Sequence, residues 1–189
     1  MAARPLAIAH HPSTSRIPKA SMHMRRATVL AGFLAVIVGG VFYAFKHQVA
    51  NRAPDVVFTT ITGEQVALRE LRGHPVLVTF WASDCRSCIE EMPQFAEIYR
   101  QYSERGLKMI GVAMAYELPS RVLAIASAHA LPYSVALDMQ GKHAQAFAGV
   151  KLVPNSFLIA PDGEISMHRL GLLDMQDLKA RIEQMLRKV

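Results

Sequence analysis

Both cysteines of this 189-residue chain fall in one tetrapeptide, Cys85-Arg86-Ser87-Cys88, set between an apolar run and an amphipathic one. The run before it, Pro75–Trp81 (PVLVTFW), is continuously apolar apart from Thr79 and reads as a strand buried on both faces. After it, Cys88, Met92, Phe95, Tyr99 and Tyr102 share one helical stripe, with Glu90, Gln94, Glu97 and Gln101 opposite. That spacing predicts a helix over Cys88–Arg105. A cysteine at a helix N-terminus has its thiolate stabilised by unpaired N–H groups and the helix dipole. Two intervening residues let the second sulfur reach the first, so a mixed disulfide can be resolved. Cys85 is then the expected nucleophile and Cys88 the more buried resolving thiol.

Three other readings of the pair stand beside this one. A structural disulfide closing so small a loop removes little unfolded-state entropy. Half of a zinc site needs partners, yet no further cysteine exists and no histidine pair has ligand spacing. Two unrelated buried cysteines would leave their placement at a strand–helix junction a coincidence. The redox reading outweighs these, because it uses both the spacing and the junction.

The chain beyond the pair alternates strands and helices. Val56–Thr60 and Gln65–Leu68, around Thr62-Gly63, predict a hairpin. Lys108–Met114 reads as a second buried strand, Pro119–His129 as a helix, Tyr133–Leu137 as a short strand and Gly141–Ala148 as a small helix or turn. Asn155–Ala160 and Glu164–Leu170 flank Pro161-Asp162-Gly163, a strong hairpin signal, and Asp174 is placed to cap a final helix. Strands alternating with helices imply an α/β fold with parallel pairing in its middle.

The charge distribution bears on where the chain works. The net charge of +6 first suggests nucleic acid or a membrane surface. Five of the excess positives, Arg4, Arg16, Lys19, Arg25 and Arg26, lie in residues 1–26, which hold no acid, whereas residues 56–189 carry 14 basic and 14 acidic residues. A nucleic-acid partner therefore has no electrostatic basis in the body of the chain. Residues 27–45 carry no charge over 19 positions, which as a helix is about 28 Å, the thickness of a bilayer core. Phe42-Tyr43-Ala44-Phe45 makes a poor cleavage site, so an uncleaved transmembrane anchor is favoured over a signal peptide. The organisation expected is a basic cytoplasmic tail (1–26), a single transmembrane helix (27–45), a linker (46–55) and an exported domain (56–189). Met22 and Met24, directly before Arg25-Arg26, offer alternative starts that would leave residues 1–21 dispensable.

The segment Phe80-Trp81-Ala82-Ser83-Asp84-Cys85-Arg86-Ser87-Cys88, with Glu91 and Pro93 after it, resembles the active-site segment of the TlpA/ResA-like branch of the thioredoxin superfamily. Val153-Pro154-Asn155-Ser156-Phe157 through Gly163 is similar to that family's cis-proline strand and hairpin, and Leu137–Gly141 to the stretch before it. The resemblance spans roughly residues 54–189, the size of one domain. It implies a thioredoxin fold, a central mixed sheet flanked by helices, here with an N-terminal β-hairpin extension. It implies that Pro154 matches the cis-proline, that Val153 pairs through its backbone with an extended substrate segment, and that Glu91 handles protons at the site. Glu91 also stands three residues after Cys88, on the same helical face. Pro93 is expected to bend the helix after its first turn. Trp81, the only tryptophan, is expected beside the site, contacting substrate or packing in the core.

Two departures stand out. Asp84 replaces the tryptophan common before the first cysteine, and its charge opposes thiolate formation. Thr79 occupies the position of thioredoxin's own buried aspartate, so that proton relay is missing. The scattered methionines read as core filling, and His143 and His168 as structural or exposed.

The function expected is thiol–disulfide oxidoreduction. The reducing direction on protein disulfides is favoured, with a disulfide-introducing oxidase or a copper metallochaperone using the same thiols as alternatives. A peroxidase is disfavoured, since no proline-threonine-cysteine pattern precedes the pair. No cofactor beyond the Cys85–Cys88 redox pair and no metal is expected. The expected partners are protein substrates bearing thiols or disulfides and a membrane electron donor of thiol–disulfide type. The location implied is a bacterial inner membrane, N-terminus cytoplasmic, with the catalytic domain periplasmic or extracytoplasmic.

Overall fold

Five strands form one sheet in the order β5-β4-β3-β6-β7, with the strand that leads into the cysteine pair at its centre. The structure, a computed structural model, describes residues 36–40 and 51–187. That central strand, β3 (Val76–Trp81), is buried at every position. It pairs parallel with β4 (Lys108–Ala113) on one side and antiparallel with β6 (Asn155–Ile159) on the other. Beyond β4 lies β5 (Ser134–Leu137), again parallel, and beyond β6 lies β7 (Ile165–Leu170), antiparallel. A strand enclosed on both edges and both faces has no solvent to meet, which is why its sequence shows almost no polar alternation.

The two faces of the sheet carry separate cores. Leu77 and Trp81 of β3 pack with α1 (Arg86–Tyr102), α2 (Pro119–Ala128) and α4 (Met175–Leu186) through Met92, Phe95, Ile98, Val122, Leu178 and Ile182. Val76, Val78 and Phe80 point the other way, into Phe58, Phe147 and Phe157. Phe58 comes from the hairpin of β1 (Val57–Thr59) and β2 (Gln65–Ala67), and Phe147 follows the short helix α3 (Lys142–Ala146). The steps β3-α1-β4 and β4-α2-β5 advance in one direction across the sheet. Right-handed crossovers then put α1 and α2 on the same face, as their shared core shows.

The element boundaries expected from sequence agree with these to within a few residues. One element was not anticipated: Leu68–Leu71 forms a single 3-10 turn that buries Leu68 under the hairpin. Pro93 lies inside α1, and the helix continues through it as one element. The tight turn at Pro161–Gly163 closes the β6–β7 hairpin with Gly163 at φ +87°, a left-handed conformation that glycine adopts without a Cβ clash. The anchor expected over 27–45 lies outside the described residues, apart from 36–40, which are helical. Among the described residues no helix is long and apolar enough to cross a membrane.

Candidate active site

The chain leaves β3 at Trp81, makes a short turn, and enters α1 at Cys85. The turn is closed by the Cys85 N–H donating to the Ala82 carbonyl at 3.2 Å. Cys85 is the N-cap of α1, and its Sγ accepts the Cys88 N–H at 3.2 Å. The two sulfurs are joined as a disulfide, with the Cα atoms 5.3 Å apart. Cys85 is partly exposed and Cys88 only 3% exposed, so an incoming group meets Cys85 first. Ser87 Oγ lies 3.5 Å from Cys85 Sγ and completes the N-terminal turn.

Beneath Cys88, Glu91 is buried at 1% exposure. One oxygen, Oε1, accepts the Leu173 N–H at 2.7 Å from the segment between β7 and α4. The other, Oε2, is buried with no hydrogen-bond partner. Burial pushes the Glu91 carboxyl above the usual carboxylate range, and the Leu173 amide offsets part of that. Glu91, Cys88, Pro154, Thr79 and Trp81 together line a cavity of about 10 Å³, the size of one water. Thr79 adds a buried hydroxyl pair, its Oγ1 2.8 Å from Ser156 Oγ on the adjacent strand. Two neutral hydroxyls thus satisfy each other under the site.

The structure brings Cys88 and Glu91 of α1 into one cavity with Pro154, the residue before β6, and Cys85 is joined to Cys88 by the disulfide. The Val153–Pro154 peptide bond is cis. The Pro154 carbonyl is engaged, accepting the Gly171 N–H at 2.8 Å. Val153 is half-buried at the edge of both cores. Trp81 belongs elsewhere than a substrate surface: it is 3% exposed and lies beneath the pair. Gly111 of β4 permits that placement, since a Cβ there would stand 3.4 Å from Trp81 Nε1 and 3.2 Å from the Tyr133 ring. The core-packing alternative therefore describes Trp81, because a strand residue pointing at α1 has no path to solvent.

His143 and His168 are packing groups. His168 stacks on Phe157 at 4.2 Å and shares a 2.8 Å hydrogen bond with Asn155 Oδ1, whereas His143 packs against Phe58. Burial lowers the His143 pKa. Among the described residues no group of three or more His, Cys, Asp or Glu side chains is arranged to hold a metal.

Sequence reasoning missed Glu117. It lies in the segment between β4 and α2, is 7% exposed, and bonds to Ser83 in the turn before Cys85. Its only sequence signal is an acid directly before a Leu-Pro helix start, which reads as a capping neighbourhood.

A dithiol at the N-terminus of a helix that follows a central strand, with a cis-proline across from it, defines a thioredoxin-fold thiol–disulfide oxidoreductase. The model for the AhpC/TSA family matches residues 49–168, and the chain belongs to that family. It is 31% identical over 163 residues to the thiol-disulfide oxidoreductase ResA of Bacillus thuringiensis strain Al Hakam, covering 85% of this chain and 91% of that protein. The crystal structure of StoA from Bacillus subtilis superposes with a TM-score of 0.59 at 26% identity, covering 68% of this chain and 97% of StoA. A thiol:disulfide interchange protein of Chlorobium tepidum shares the fold with a TM-score of 0.66 at 23% identity, covering 72% and 96% of the two chains.

Proposed function

We propose that this oxidoreductase works as a reductase of protein disulfides, held by residues 27–45 on the outer face of a bacterial inner membrane. The reading rests most on the unequal burial of the two sulfurs, with an acid beneath the inner one. The Cys85 thiolate attacks a substrate disulfide, forming a Cys85–substrate bond and releasing one substrate thiolate. Val153 offers backbone to the extended substrate segment. Cys88 gives its proton to the Glu91 carboxylate and attacks Cys85 Sγ, closing the Cys85–Cys88 disulfide and releasing the second substrate thiolate. The substrate gains two electrons and, from solvent and Glu91, two protons. A membrane donor carrying a dithiol then returns two electrons to the pair.

Burial of Glu91 suits the proton step. A carboxylate that holds its proton more tightly than in water is a better acceptor from a thiol. Acids at both sulfurs also support the reducing direction. Asp84 adjoins Cys85 and Glu91 underlies Cys88, so the thiolate of the reduced pair is less stabilised and the disulfide product is favoured. Arg86 offsets this little, because its guanidinium is committed to Glu90 at 2.8 Å.

Alkylation of the thiols in intact cells tests the direction. A reductase with a dedicated electron supply is found with Cys85 and Cys88 mostly reduced. A pair found mostly as the disulfide would overturn the reading in favour of an oxidase.

A further inference from the structure

The turn that presents Cys85 is tied to a part of the chain far away in sequence. Glu117 Oε1 accepts from the Ser83 N–H at 2.9 Å and from the Ser83 hydroxyl at 3.1 Å. Arg121 Nη1 reaches the same hydroxyl at 3.3 Å from the exposed side. Glu117 Oε2 is buried and has no partner. The side chain is not used to cap its own helix, since the N-cap of α2 is Leu118 and no side chain bonds there. A half-satisfied buried carboxylate is costly, and a neutral amide would hold Ser83 equally well. The buried, half-satisfied carboxylate therefore calls for a role of its own.

Ser83 and Cys85 are two residues apart, at most about 7 Å along the chain. The Glu117 carboxylate thus stands on the order of 10 Å from the nucleophilic sulfur, across partly buried protein. We propose that Glu117 is a positioning residue for the nucleophile: it fixes the Ala82–Cys85 turn through Ser83 and holds a negative charge against it, opposing thiolate formation at Cys85. Its field reaches this surface at Tyr116, whose hydroxyl is pushed up by desolvation first and then by Asp84 and Glu117. The other charged or titratable groups facing Cys85 are Asp84 and Glu91, which act in the same sense, Arg86, paired with Glu90, and Arg121, which acts against them.

The inference rests on Cys85 being the nucleophile, and one experiment separates the two claims. The reduced full-length protein is alkylated with iodoacetamide across a pH series, and modification at each cysteine is followed by peptide mass. In Glu117→Gln the amide oxygen still accepts from Ser83, so the melting temperature stays close to that of the parent. The pH midpoint at Cys85 falls by roughly 0.5–1 unit, as expected for one charge lost at about 10 Å. Arg121→Ala, on an exposed side chain, raises the midpoint by less. A Glu117→Gln midpoint equal to the parent's would overturn the proposal, as would an unmoved Arg121→Ala midpoint should the glutamine variant fail to fold. Alkylation confined to Cys88 would instead overturn the nucleophile assignment, and this proposal with it.

Discussion

Replacing Glu91 by glutamine removes a charge while keeping the shape and the acceptor for the Leu173 N–H. In the folded protein the Glu91 carboxyl is raised above its unfolded value, chiefly by burial. Between those two values the native state holds a proton that the unfolded chain has released. Stability in that window therefore falls as pH rises. The slope from this one group approaches about 1.4 kcal/mol per pH unit across the window. Above the folded value it levels off, with the full cost of a buried charge in place. Glu91→Gln has no such proton to lose, so the difference in stability between parent and variant grows with pH from about 4.5 upward and then saturates. The assay is urea unfolding of the oxidised forms across pH 4–8, in which the cysteines do not titrate and other groups cancel in the difference. Parallel pH curves for parent and variant would show that burial does not set the Glu91 proton affinity.

Two further predictions concern the frame around the site. Thr79→Val leaves the Ser156 hydroxyl buried without its 2.8 Å partner and costs about 1–3 kcal/mol in denaturant unfolding; adding Ser156→Ala recovers part of that loss, whereas no recovery would show that the hydroxyls do not act as a pair. Asp174→Ala removes the cap on the Gln176 and Asp177 N–H groups at the start of α4 and costs about 1 kcal/mol, read as a lower thermal midpoint.

The features legible in the sequence are those written in local periodicity. The buried strand Val76–Trp81, the stripe from Cys88 to Tyr102, the Pro161–Gly163 turn and the Asp174 cap each declare themselves within one element. Helical spacing carries Glu91 to the face of Cys88, and the two line one cavity. What holds Glu91 there was not legible: the Leu173 N–H arrives from 82 residues away. The same is true of Ser156 against Thr79, 77 residues apart, and of Glu117 against Ser83, 34 apart. Such contacts depend on which elements the sheet order makes neighbours, and β6 beside β3 is not a sequential pairing. Trp81 shows the reverse difficulty. An aromatic beside a reactive pair suits a binding surface, but strand alternation turns it toward α1 and into the core.

In the proposed cycle Cys85 attacks and Cys88 resolves. The direct measurement is covalent trapping by the full-length Cys88→Ala protein, with its mixed disulfides separated without reductant and the linked cysteine identified by mass. Substrate proteins are expected to be held through Cys85, released by reductant and absent from the Cys85→Ala protein. Capture by Cys85→Ala through Cys88, with none by Cys88→Ala, would reverse the two roles.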